Sequence, residues 1–226
     1  MDKKDLALNY DKNMNMKFFK LRIDIIKRLF KSGKPEILVD VGCGTGIFLD
    51  YLHDDFKAGI GIDSCKEMID FAEKKHKKRN IKYIIGKGDV LPLANHSVDF
   101  ILSMGVLENI KDKKMHINES LRVLKKGGIL FLTTPIRSMT KLYDLARIFG
   151  KAAPRYWPIS YISFRELNEL VPKGIAEVLE HRIIIFNPSN IKILDYLCAL
   201  IDKMLPDSLN RYMLGPQYLI IKKINL

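Results

Sequence analysis

Short continuous apolar runs alternate along the chain with longer stretches in which apolar residues recur every three or four positions. Residues 36–42 (EILVDVG) read as a buried strand, and residues 47–54 (IFLDYLHD) as the helix that follows it. A second strand, KAGIGID, ends at Asp63. Ser64 and Glu67 then make a capping-box pattern that starts a helix over 65–79, with Met68, Ile69, Phe71 and Ala72 on one side. Further strands are predicted at 81–85 (IKYII) and 97–104 (SVDFILSM), then a helix over 112–125 and a turn at 125–128. The fifth strand, ILFLTTP, is stopped by Pro135. Strands alternating with helices at this spacing predict an α/β fold with a mostly parallel sheet wound on both faces, because each right-handed crossover needs a covering helix.

After residue 135 the alternation loosens. Helix-like stretches at 139–149 and 163–171 flank KAAPRYWPIS, whose two prolines interrupt any regular element. A strand over EVLEHRIIIF, an apolar helix over about 189–204 and a closing strand, QYLIIKKI, complete the pattern. Residues 1–33 form a helical preface whose apolar face is Phe18, Phe19, Leu21, Ile25, Ile26 and Leu29. The expectation is one domain over 1–226: preface 1–33, core 36–135, a lid over 136–175, and closing strands and helix over 176–226.

Composition narrows the class. A chain of 226 residues with 47% hydrophobic residues can fill a substantial core. Cys43, Cys65 and Cys198 are too few and scattered for a disulfide framework or a zinc site. No run reaches the roughly 18 apolar residues of a membrane span, and the Lys-rich start lacks the apolar stretch of a signal peptide. A soluble, cytoplasmic protein without a metal is therefore expected. The formal net charge of +12 raises the question of nucleic acid. Residues 36–135, however, hold 15 Lys/Arg against 14 Asp/Glu, so the excess lies at the two ends of the chain. Lysine-rich solvated faces account for it more simply than an RNA track.

Chemistry concentrates in Val39-Asp-Val-Gly-Cys-Gly-Thr-Gly46. Gly42, Gly44 and Gly46 fall at the first strand-to-helix turn, the place where open α/β sheets bind ligands, and a glycine lets a ligand lie against bare backbone. A dinucleotide fingerprint needs its third glycine three places after the second, where this chain has Ile47. Asp40 inside the strand would also repel a pyrophosphate and suits a ligand carrying an ammonium group. Asp63, at the carboxyl end of the second strand, can accept two hydrogen bonds from a diol. Asp89 lies beside the apolar Val90-Leu91-Pro92, a wall suited to adenine.

Together these segments resemble the class I S-adenosylmethionine (SAM) dependent methyltransferases of the small-molecule type, over about residues 36–135. VDVGCGTG is similar to the family's SAM-binding loop and GIGIDSCKEMI to its second motif. GKGDVLPLANHSVDFILSMGVLENI resembles the third and fourth motifs, and LRVLKKGGILFLTTP the fifth-strand motif. The resemblance implies a Rossmann-like, doubly wound seven-stranded sheet with a lid insertion after the fifth strand, and SAM as cofactor with S-adenosylhomocysteine as product. It places Gly42, Cys43, Gly44 and Gly46 under the methionine moiety, Asp63 with Ser64 at the ribose, Asp89 with Val90 at the adenine, and Asp40 and Met104 nearby. Tyr10, Trp157 and Tyr161 are the expected substrate and lid residues.

No firm general base is legible. The family often has a histidine after the fourth strand, in a stretch of the type LEHI, but here the residues are Leu107-Glu108-Asn109-Ile110. Glu108 and His116 are the candidates, with His116 expected on the surface or in packing. The Asn/Asp-Pro-Pro-aromatic motif common in enzymes acting on amide or nucleobase nitrogens is missing at Ser103-Met104-Gly105-Val106, which favours a small-molecule acceptor. An RNA methyltransferase, or a catalytically silent SAM-binding protein, is the alternative. The apolar helix near 191–205 also allows a peripheral membrane contact.

Overall fold

The computed structural model describes residues 11, 14, 16–78, 80–135, 161–184 and 216–225. Its first helix, α1 (Met16–Leu29), buries Phe19, Ile23 and Ile26 at alternating spacings of four and three, the stripe that a 3.6-residue period puts on one face. A 3-10 turn leads to β1 (Ile37–Val41), whose residues after Ile37 are all buried. Then come α2 (Ile47–Tyr51), β2 (Ala58–Asp63), α3 (Lys66–Lys75), β3 (Ile81–Ile85) and β4 (Val98–Met104). The chain continues through α4 (Lys113–Val123), β5 (Leu124–Pro135), α5 (Phe164–Glu169), β6 (Ala176–Ile183) and β7 (Pro216–Lys223).

The seven strands form one sheet in the order β3-β2-β1-β4-β5-β7-β6. Pairings from β3 to β5 are parallel, whereas β7 lies antiparallel to both β5 and β6. The doubly wound, mostly parallel sheet expected from the alternation is thus present. One face packs Ile101, Leu130, Leu132 and Leu219 against Ile117 and Leu121 of α4 and Leu167 of α5. The other packs Leu38, Leu102 and Phe131 against α1 and α2. Strand order reverses at β1, which has β2 on one side and β4 on the other, and this leaves a crevice beyond their carboxyl ends.

Two local expectations change. Cys65, not Ser64, is the N-cap of α3, and it has no side-chain cap; instead the carboxylate of Asp63 accepts the Cys65 amide at 2.8 Å. Asp63 thereby closes an Asx-type turn just ahead of the helix, which moves the helix start one residue past Ser64. Residues 125–128 are a bulge inside β5 rather than a turn before it. Leu124 already pairs with Val98, and the register resumes at Ile129 opposite Phe100. Lys125 is held there by Asp99, whose other oxygen accepts the Ile37 amide.

Of the stretch expected as a lid, residues 136–160 lie outside the described residues, as does the apolar helix near 189–204. Residues 161–171 are packed: Ile162 and Leu167 belong to the buried core, and Ser163 with Glu166 makes a full capping box for α5.

Candidate functional site

At the crevice between β1, β2 and β4 lies a cleft of about 470 Å³. Its floor is the turn after β1. Gly42 has φ 70°, and a Cβ there would meet Val106 Cγ2 at 2.3 Å, so only glycine fits. The Gly44 amide donates to Asp63 Oδ2 at 2.9 Å while the Cys65 amide donates to Oδ1 at 2.8 Å. These bonds fix the carboxylate at the cleft wall and leave each oxygen a further lone pair for a ligand. Ser64 and Met68 adjoin it, and Asp89 stands on the wall made by Gly86, Lys87 and Gly88. Met104, Gly105, Val106 and Asn109 close the β4 side.

Six residues singled out from the sequence therefore share one cleft: Gly42, Gly44, Asp63, Ser64, Asp89 and Met104. Four others lie off it. Gly46 caps α2 and faces Tyr83, whose hydroxyl a Cβ would meet at 2.5 Å. Cys43 is buried, and burial pushes its thiol well above the usual range, so it is inert. Val90 is 59% exposed because the Lys87–Val90 bridge turns it to solvent; its neighbour Leu91 is the buried one. Asp40 lies inside β1, 1% exposed, with neither oxygen hydrogen-bonded among the described residues. Burial, reinforced by the nearby Asp63 charge, raises it to about 8.

The two candidate bases separate. His116 is fully buried, and both ring nitrogens are committed: Nδ1 donates to the Gly88 carbonyl at 2.7 Å, and Nε2 lies 3.0 Å from the Ser103 hydroxyl, from which it accepts. Burial lowers its pKa, so it stays neutral and holds the Gly88 loop in place rather than moving protons. Glu108 is also buried, but its carboxyl lies directly behind the cleft wall. Oε1 is 3.4 Å from where a Gly105 Cβ would stand, and Oε2 accepts from the Thr134 hydroxyl at 3.1 Å. Desolvation raises Glu108 to about 7 against the opposing pull of the Thr134 bond, Lys113 and Arg22. Glu108 does not itself line the cleft; Gly105, with φ 71°, does, and it is the residue separating that carboxyl from it.

Tyr161 lines a neighbouring cavity of about 850 Å³ that shares Lys111 with the cleft. Tyr10 and Trp157 lie outside the described residues. His181 accepts no catalytic part: it stacks on Phe164 at 3.5 Å, lies 3.0 Å from Gln217, and is pushed down to about 4 by burial. Sequence reasoning missed Gly105, Val106, Asn109 and Lys111. Only Gly105 carried a usable signal, a glycine placed directly after an apolar strand.

A family model described as a methyltransferase domain matches residues 39–132, from β1 through most of β5, the segment that builds the cleft. An uncharacterized protein of Methanocaldococcus jannaschii is 34% identical over 169 residues, spanning 73% of this chain and 76% of that one. A ubiquinone biosynthesis O-methyltransferase of Pelagibacter ubique is 30% identical over 159 residues, spanning 68% of this chain and 62% of the enzyme. The chain belongs to the class I SAM-dependent methyltransferases. It therefore spans less than two thirds of the length of that ubiquinone-pathway relative. Among solved structures, the complex between the Haloferax volcanii Trm112 methyltransferase activator and its methyltransferase matches with a TM-score of 0.64 at 20% identity, over 84% of this chain and 83% of that one. A Bacillus halodurans methyltransferase matches with a TM-score of 0.63 at 14% identity, over 90% and 98%. These two likenesses show the fold.

SAM is the cofactor of this methyltransferase, and the residues present fit it. The bare backbone at Gly42 and Gly44 admits a ligand, and the pinned Asp63 carboxylate offers two acceptors to a diol. The carboxylates of Asp63 and Asp89 favour a cationic ligand over a pyrophosphate. Among the described residues, no group of three or more His, Cys, Asp or Glu is placed to hold a metal ion, and no helix is long and apolar enough to cross a membrane.

Proposed function

We propose that the enzyme methylates a small molecule at an O–H or N–H group, with Glu108 as the proton acceptor. The observation that carries this reading is the Glu108 carboxyl, buried at the carboxyl ends of β4 and β5 behind Gly105 and held by Thr134. In this reading Gly42 and Gly44 cradle the methionine moiety, Asp63 binds the ribose and Asp89 the adenine, and Asp40 keeps its proton and stays neutral beneath the loop near pH 7. SAM supplies a methyl group on a sulfonium whose departure as a neutral thioether needs no charge stabilisation from the protein.

What the protein must do is align and desolvate the acceptor, and such positioning can supply roughly 7–11 kcal/mol of barrier reduction. The Glu108 carboxylate takes the acceptor's proton as the new bond to carbon forms, ending as the neutral acid that its buried setting favours. Thr134 orients the carboxyl. The O-methyltransferase relative supports an oxygen acceptor, and the free Cys43 and Cys65 suit a reducing cytoplasm.

The test is a pH–rate profile on a methylated acceptor. For the wild type, kcat should rise with pH through about 7, the value at which Glu108 ionises. Glu108→Gln should remove that limb and lower kcat by about 10²- to 10⁴-fold, with SAM affinity unchanged. A variant that keeps the wild-type profile removes Glu108 from the reaction.

A further inference from the structure

We propose that the cavity beside the cleft holds an acceptor that joins an apolar body to one compact anionic headgroup, a carboxylate or a phosphate, and that Lys111 and Lys114 receive that headgroup. This rests on the methyltransferase reading and deepens it by naming a substrate class. Lys111 stands on the walls of both cavities, so the second opens beside the first. Ile162 and Leu170 give its wall an apolar patch, with Tyr161 alongside.

The charges on its walls are unequally committed. Asp112 caps α4, accepting the Met115 amide at 2.9 Å. Glu166 accepts the Ser163 amide at 2.8 Å, and Glu169 accepts from Arg165 at 2.8 Å. Lys113 donates to the Ile110 carbonyl at 3.0 Å. Lys111 and Lys114, by contrast, make no hydrogen bond or ion pair among the described residues. Every carboxylate of the cavity is thus occupied within its own element or cap, while two of its three ammonium groups are unmatched.

Those ammonium groups also crowd the start of α4, where the helix dipole already disfavours cations. An anion seated between Lys111 and Lys114 relieves that repulsion. An extended polyanion does not, because Asp112, Glu166 and Glu169 meet it along the same walls; this is why a single headgroup is favoured over RNA. A headgroup at Lys111, which lines both cavities, leaves the rest of the acceptor free to extend toward the cofactor cleft.

The experiment is titration calorimetry on the full chain saturated with S-adenosylhomocysteine, using decanoate, decyl phosphate and decanol as probes. At least one anion should bind ten-fold or more tighter than decanol, and the pair tells which headgroup is preferred. Lys114→Glu, an exposed change outside the cofactor cleft, should weaken the anion at least five-fold and leave both decanol and S-adenosylhomocysteine binding as they were. Equal binding of the anions and the alcohol in the wild type would overturn the inference, and this comparison needs no variant. So would tight, steeply salt-dependent binding of single-stranded RNA that displaces decanoate. If the anions are still preferred but S-adenosylhomocysteine does not bind, the cavity assignment stands and the cofactor-site assignment falls.

Discussion

Asp63 does two jobs with one carboxylate: it pins the glycine loop through the Gly44 amide and starts α3 through the Cys65 amide. In the proposed site its remaining lone pairs receive the ribose hydroxyls. Asp63→Ala should therefore weaken SAM binding by about 1.5–3 kcal/mol, or roughly ten- to 150-fold by titration calorimetry, in a protein that still folds. Unchanged affinity would take Asp63 out of the site. Asp40 leads to a different measurement. Its carboxyl is raised from 3.8 to about 8, so the folded state holds the proton more tightly than the unfolded chain does. The resulting contribution to stability is fully present below the unfolded value and is lost as pH rises toward the folded one. Glu108, raised from 4.5 to about 7, acts in the same direction. Urea unfolding of the unliganded protein at pH 4 to 8 should thus show Asp40→Asn gaining on the wild type as pH rises. A constant difference between the two would contradict the buried, proton-holding carboxyl.

The elements were legible where a periodic stripe or a buried run decided them. The apolar stripe of the preface became α1, with Phe19 1% exposed and its ring 4.8 Å from Phe48 and 5.3 Å from Tyr51. Phe19→Ala should cost about 3–5 kcal/mol in urea unfolding, the range for truncating a buried aromatic. A loss below about 1 kcal/mol would mean that α1 is not docked on the sheet as described. What stayed illegible depended on partners distant in sequence. The bulge at 125–128 is set by the pairing of Leu124 with Val98 and by the Lys125–Asp99 bridge. His116 read as surface or packing, and only its contacts with Gly88 and Ser103 show it supporting the cleft wall. Its position in α4 gave no such signal.

At the scale of the whole molecule, the strand order put the cleft where β1 separates β2 from β4, so the glycine turn, Asp63 and Asp89 converge although they come from three different strand ends. That convergence could be anticipated because each member carries a local spacing signal. The acceptor side could not. Glu108 meets Thr134 across 26 positions of sequence, and Lys111 shares a cavity with Tyr161 only after the chain has laid down β5. Neither pair has a spacing to read. Methyl transfer to a small molecule is tested most directly with methyl-labelled SAM. The purified enzyme is incubated with labelled SAM and a cell extract, which is then split into small-molecule, RNA and protein fractions. Label should appear in the small-molecule fraction and be lost with Glu108→Gln. Label confined to the RNA or the protein fraction would contradict transfer to a small molecule.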